Sequence, residues 1–328
     1  FIIVLLYTEL YNKSTLDDFY TILTSNNPNL FFLRWVLIIA IITVLVFISK
    51  RLYNRNNQDG FTQQEPFVYK YGKESIDDFY VDIYDSLHET TRRSQDELIN
   101  FIEMTEPTVQ HSNILDVGCG TGYVVNELTQ AGYDVYGIDK SKEMLTYAQT
   151  TYPDAEYVYG DVLNSMQFEK STFTHILCTY FTIYQLEDKK KFFRNCYFWM
   201  KPNSYLMLHL VDTDKFTKMI PAEDAINESH PINDKRTITS TASFSDYKYK
   251  CSYEIPNNND ELVVEVKETF IDMETDNIRQ NETHIYMEKM DTILKLASEN
   301  GFIQHGKVSM KNSNGDKNQY LYILERPL

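Results

Sequence analysis

The chain has 328 residues, 43% of them hydrophobic and 14% aromatic, which supplies one sizeable core and excludes a disordered class. A formal net charge of −16 argues against a general grip on DNA or RNA, because phosphate binding needs a basic surface. Four cysteines (Cys119, Cys178, Cys196, Cys251) stand far apart with no C-x-x-C pair, which argues against zinc and a disulfide framework and for a reducing compartment.

Phe1–Tyr7 (FIIVLLY) reads equally as the tail of a longer apolar segment or as a short buried strand. Leu30–Ser49 (LFFLRWVLIIAIITVLVFIS) is long enough to cross the ~30 Å hydrocarbon layer. Its apolar residues run all the way round a helix, whereas a surface helix keeps them to one stripe. Arg34, its single charge, sits near one end beside Trp35, where both suit an interface. Lys50, Arg51 and Arg55 follow, so residues 1–29 are expected on the non-cytosolic side, 30–49 in the membrane and the rest in the cytosol. Residues 50–70 are polar, include Pro66 and show no sustained period, as in a tether.

From Glu74 the spacing turns helical through Ile76, Phe79, Tyr80, Ile83, Tyr84 and Leu87, and a second amphipathic run covers Gln95–Met104. Strands are expected at Asn113–Val117, Asp134–Ile138, Glu156–Tyr159, Phe173–Cys178 and Tyr205–Leu210. Helices alternate with them at Tyr123–Ala131, Lys142–Thr151 and Glu187–Met200, ended by Gly132 and by the approach of Pro153 and Pro202. Such alternation predicts an α/β, Rossmann-like, doubly wound and mostly parallel sheet. Thr237–Glu254, Glu261–Asp272 and Arg279–Met287 read as antiparallel strands, within an insertion at about 213–288. Asp291–Asn300 is a helix stopped by Gly301, and Phe302–Val308 with Tyr320–Glu325 a closing strand pair.

Between the first strand and its helix stands NILDVGCGTGY. Gly118, Gly120 and Gly122 let a ligand approach the backbone at a helix N-terminus. Asp139 lies about 20 residues on, at the end of the next strand, where it can take two ribose hydroxyls. No Gly-Lys-Ser/Thr follows, which removes a P-loop. The G-x-G-x-G spacing differs from the G-x-G-x-x-G of dinucleotide sites. Asp116 before it repels a pyrophosphate but suits an ammonium, and Asp161 offers a second acid at the adenine edge.

ILDVGCGTG, VYGIDKSKEMLTYA and YVYGDV together resemble the class I S-adenosylmethionine-dependent methyltransferases, over about Tyr71–Leu328. The resemblance implies a seven-stranded sheet with an antiparallel hairpin at one edge, and S-adenosylmethionine as cofactor. It puts Asp116, Gly118, Cys119, Gly120, Thr121 and Gly122 at the methionine moiety and Asp139 at the ribose, with Lys140 and Met144 beside ribose and adenine. Asp161 and Val162 would meet adenine, and Cys178 and Thr179 would border the sulfonium. Thr174 departs from the Asp often found there, at a position that is no cofactor contact.

A sulfonium methyl needs no metal, only an aligned acceptor and, for O–H or protonated N–H acceptors, a base. His209 and Tyr180 are the catalytic candidates; Tyr184 and His284 are candidates for holding the acceptor. CTYFTIYQL stands where base-amino methylases of nucleic acids carry N/D-P-P-Y/F. The expectation is a small-molecule or lipid-proximal acceptor. A protein methyltransferase, an NAD-dependent oxidoreductase and an inactive membrane-tethered cofactor-binding protein are the alternatives.

Overall fold

The computed structural model describes residues 34–36, 38–40, 42–46, 65–217, 220, 225–232, 235–256 and 263–328. Residues 34–36, 38–40 and 42–46 are helical and expose Trp35, Ile39, Ile42, Val44, Leu45 and Val46. Among the described residues no helix is long and apolar enough to cross a membrane. The rest of the expected crossing, the basic residues after it and Phe1–Tyr7 lie outside the described residues. By internal contacts Phe61–Leu328 is one compact unit.

The first strand of that unit, β1 (Phe67–Tyr71), is followed by helices α1 (Asp78–Leu87) and α2 (Thr90–Thr105). The alternating part then runs β2 (Asn113–Val117), α3 (Tyr123–Gln130), β3 (Asp134–Asp139), α4 (Lys142–Thr151), β4 (Glu156–Tyr159), β5 (Phe173–Cys178), α5 (Lys189–Trp199) and β6 (Met200–Val211). An all-strand stretch comes next: β7 (Ile226–Ile232), β8 (Lys235–Ser243), β9 (Tyr247–Pro256), β10 (Val263–Asp272) and β11 (Ile278–Tyr286). The chain closes with α6 (Met290–Glu299), β12 (Ile303–Ser309), the single turn α7 (Lys311–Asn314) and β13 (Gln319–Arg326).

Seven strands form one sheet in the order β12-β13-β6-β5-β2-β3-β4. β4, β3, β2, β5 and β6 run parallel; β13 is antiparallel to β6, and β12 to β13. Helices on both faces bury both sides of the central strands, so neighbours point into different cores: Ile114 joins one apolar cluster, Leu115 and Val117 the other. Strand order reverses at β2, with β3 and β4 on one side and β5 and β6 on the other. The crevice at the carboxyl ends of such strands is where ligands bind in open α/β sheets.

The six remaining strands form a second sheet, β1-β11-β10-β9-β8-β7. Four features depart from the sequence reading. Phe67–Lys70, given to the tether, pairs parallel with β11 as part of β1. Thr237–Glu254 is two strands, β8 and β9, paired antiparallel. β7 was not foreseen, and the first helix begins at Asp78 after a 3₁₀ turn at Gly72–Ser75. Non-local pairing decides the strand differences: β1 finds its partner more than 200 residues away.

Two ionic latches join the second sheet to the α/β part. Asp77 caps α1 by accepting from Tyr80 N, and also takes both guanidinium nitrogens of Arg279 from β11 at 3.0 and 2.9 Å. Lys189, buried at the start of α5, donates to Leu186 O and Tyr286 O and pairs with Glu288. Removing one partner of a buried pair leaves the other charge uncompensated. Lys189→Ala is therefore expected to lower unfolding free energy by about 3–5 kcal/mol in urea denaturation, and a loss below ~1 kcal/mol would show that this latch contributes little.

Candidate active site

The turn after β2 builds the first wall of a cavity of about 340 Å³. Gly118 N donates to Ile138 O at 2.8 Å, which draws the loop over the end of β3. Gly120 has φ +51°, and a Cβ there would meet nothing nearer than Tyr84 at 4.0 Å, so its open side is free for a ligand. Gly122 differs: a Cβ would lie 2.5 Å from the Tyr157 hydroxyl and 2.8 Å from Ala148 Cβ, so this glycine serves helix packing. Asp139 ends β3 and accepts from Gly120 N at 3.0 Å and Ser141 N at 2.8 Å. Thr121 ties the loop to α1 through its hydroxyl to Asp85 at 2.7 Å.

Asp116, Gly118, Cys119, Gly120, Thr121, Asp139, Lys140, Met144, Thr179 and Tyr180 all line this cavity, as the sequence reading groups them. His284 borders it too, but is exposed, with Tyr71 OH 2.9 Å from its Nδ1. Gly122, Asp161, Val162 and Cys178 do not line it. Asp161 is exposed in the turn after β4, accepting from Leu163 N, while Val162 and Cys178 are buried in the core.

Two candidates are corrected. His209 is fully buried and away from the cavity: Nδ1 accepts from Phe181 N at 3.1 Å, and Nε2 lies 3.0 Å from Gln319 Oε1. Burial and the Arg93 charge outweigh this pairing and push its pKa down to about 3, so it is a neutral structural group and not a base in reach of a ligand. Tyr184 is equally buried, its hydroxyl accepting from Val211 N at 2.9 Å.

Tyr180, the other catalytic candidate, lines the cavity. It and Phe181 have φ +41° and +57°, a strained geometry of the kind that clusters at functional sites. Its hydroxyl lies 2.8 Å from His88 Nδ1, and Arg93 stacks on its ring at 3.9 Å. Burial and the Arg93 charge push His88 down to about 3, so the imidazole is neutral near pH 7. Arg93 in turn holds both carboxylate oxygens of Glu97 at 3.0 and 2.9 Å; burial opposes its charge, and Glu97 with Tyr180 and Tyr84 more than restores it. His88, Arg93, Glu97 and, across the cavity, Glu268 were not foreseen. The Arg93, Glu97, Phe101 spacing along one face of α2 was the available signal.

Asp116 lies at the centre of this charge arrangement. Burial, with Glu97 and Asp139 nearby and Arg93 opposing, pushes its carboxyl up to about 8. In the unfolded chain it ionises near ~4, so between pH ~4 and 8 only the unfolded form is charged and rising pH favours unfolding. Asp116→Asn removes this, and its melting temperature is expected to exceed the parent's by a margin that grows from pH 5 to pH 8 and then levels. A margin independent of pH in thermal denaturation would contradict the raised value.

Residues 115–208 match the family described as a methyltransferase domain. Putative methyltransferase 235L of Invertebrate iridescent virus 6 is 27% identical over 122 residues, covering 36% of this chain and 44% of the relative. The malonyl-[acyl-carrier protein] O-methyltransferase of Halalkalibacterium halodurans is 25% identical over 147 residues, 42% of this chain and 54% of the relative. The chain thus spans about half the length of these curated relatives. The crystal structure of an S-adenosylmethionine-dependent methyltransferase from Clostridium acetobutylicum superposes with a TM-score of 0.57 at 16% identity, over 76% of this chain and 98% of that one. Residues 115–208 thus match a methyltransferase domain, set in a fold similar to that of the Clostridium acetobutylicum protein.

Proposed function

We propose that the protein transfers a methyl group from S-adenosylmethionine to an oxygen or nitrogen nucleophile of a small-molecule acceptor. One observation carries this: a single cavity joins the glycine-loop wall, with Asp116 and Asp139, to a chamber lined by Tyr80, His88, Tyr180, Tyr249 and Glu268. The residues present fit the cofactor. Asp116, ionised on contact with a cation, suits the ammonium of the methionine moiety; Asp139 suits ribose hydroxyls; Gly120 leaves backbone open to the ligand; Lys73 lines the same space as a cation for a carboxylate. When bound, the cofactor supplies a methyl group activated by its sulfonium.

The protein's own work is alignment and dryness, which together lower the barrier to an in-line displacement. Tyr180, held by His88 and Arg93, stands beside Thr179 at the end of β5, between the two halves of the cavity. The tyrosine–histidine pair is the group at hand to steady an acceptor and its departing proton. β9, β10 and β11 wall the acceptor side, which favours a compact acceptor over a folded protein chain.

Asp139→Ala is expected to weaken S-adenosylmethionine binding by about 10–100-fold in calorimetry, the ~1.5–3 kcal/mol of hydrogen bonds to a charged group. Tighter binding of NADH than of S-adenosylmethionine by the parent protein would sink the reading.

Residues 30–49 are read as a membrane tether that keeps the domain on the cytosolic side, near lipid-proximal acceptors. The exposed Ile39, Ile42, Val44, Leu45 and Val46 support it. Replacing Ile39, Ile42 and Leu45 by Asp is expected to release the full chain from sedimenting membranes; unchanged sedimentation would count against a tether.

A further inference from the structure

The acceptor side of the cavity contains a carboxyl group that cofactor binding does not explain. Glu268 lies on β10, whose residues alternate between outward and inward, and it shares the inward face with Val264, Val266 and Phe270. It is 7% exposed and lines the cavity. Asp116 and Asp139 sit at the ends of β2 and β3 in the other sheet, so they belong to the cofactor wall and Glu268 does not.

Its closest partners are hydroxyls. Tyr249 OH donates to Oε1 at 2.7 Å and Tyr80 OH at 3.2 Å, and the neutral Asn281 amide also favours the charged form. Among the described residues no cation pairs with it. Arg279, which acts on it through space, is taken by Asp77, by Ser75 O and by Asn281 Oδ1. A buried carboxylate held by neutral groups alone is expensive, and an incoming cation offsets that cost. The surrounding surface has the same preference, since Tyr80, Tyr84, Tyr180 and Tyr249 all line the cavity and tyrosine faces attract cations. Arg93 over Tyr180 already shows that contact within the chamber.

We propose that Glu268 and the tyrosines around it form an ammonium subsite, and that the methyl acceptor is an amine which enters as a cation. This rests on the methyltransferase reading and narrows its acceptor from oxygen or nitrogen to nitrogen. An ammonium has no lone pair, so one N–H bond must break first; the proton passes to a Glu268 oxygen and the electron pair stays on nitrogen. Burial raises the pKa of Glu268, which suits it to keep that proton. The file Glu268, Tyr80, His88, Tyr180 is continuous, with 3.2, 3.4 and 2.8 Å between successive polar atoms, so the subsite connects to the tyrosine beside the cofactor wall.

The test uses tetramethylammonium chloride as the cation probe and tert-butyl alcohol as its neutral counterpart. Each is titrated into the full chain with S-adenosylhomocysteine present, at constant ionic strength, and followed by NMR or calorimetry. The cation is expected to bind at least tenfold tighter than the alcohol, and Glu268→Gln to erase that preference while affinity for S-adenosylhomocysteine stays unchanged. Tyr249→Phe keeps the carboxyl and is expected to keep the preference, which covers the case in which the Gln variant does not fold. Equal binding of the two probes by the parent protein, or an undiminished preference in Glu268→Gln, overturns the ammonium subsite; an acceptor hydrogen-bonded as an alcohol would give the first of these. Failure of the parent protein to bind S-adenosylhomocysteine would instead overturn the methyltransferase reading beneath it.

Discussion

Burial makes it costly to keep several carboxylates ionised without cations beside them, and this constraint governs the site. Asp116, Asp139 and Glu268 line one cavity, and burial raises the pKa of each. Three cations share the lining: Lys73 and Lys140 are exposed, and Arg93 is committed to Glu97. Burial therefore shifts each acid towards its neutral form, and a ligand bringing positive charge would shift it back. The chain-wide excess of acids adds a long-range attraction of the same sign.

The scaffold is arranged to hold that costly site together. The glycine loop is drawn over β3 by its backbone, and Asp139 is oriented by two backbone N–H groups, so neither depends on a mobile side chain. α1 contributes Tyr80 and Tyr84 to the chamber and is fixed at its start by the Asp77–Arg279 pair and along its length by Asp85 to Thr121. One helix thus couples the second sheet to the cofactor loop. The two left-handed residues after β5 turn Tyr180 towards His88, at a cost of order 1–3 kcal/mol each that the packed core sustains.

How much of this was legible depended on distance along the chain. The parallel strands and their helices follow from apolar runs of the right length between glycine and proline signals, and β2, β3, β4 and β5 fall where those runs stand. The glycine loop, Asp116 and Asp139 were legible because their spacing is local. His209 was misjudged because every residue from Leu206 to Val211 is buried in a sheet covered on both faces, and position near a strand end does not say which core a side chain enters. Pairing with Gln319, 110 residues on, decided it. The run TTRRSQDEL is almost wholly polar, yet Arg93, Ser94 and Glu97 are buried, because Arg93 and Ser94 lie against the cavity and Glu97 pairs with Arg93. Glu268 was hidden in a strand whose alternation is visible but whose inward side is set only by pairing with β9 and β11.

The same division explains why the chain's likenesses name a donor more readily than an acceptor. The matched methyltransferase domain spans residues 115–208 and contains the glycine loop, Asp139 and Tyr180. The groups that would meet the acceptor come mostly from outside it: Tyr80, His88 and Arg93 precede it, and Tyr249 and Glu268 follow it. They reach the cavity on α1, on α2, and on the six-stranded sheet that the two latches join to the α/β part. Substitutions in that sheet can therefore reshape acceptor recognition while the backbone contacts around Asp139 stay as they are. In this fold the glycine-loop wall is built by local chain geometry and the chamber beyond it by long-range pairing, so only the wall is visible in a short motif.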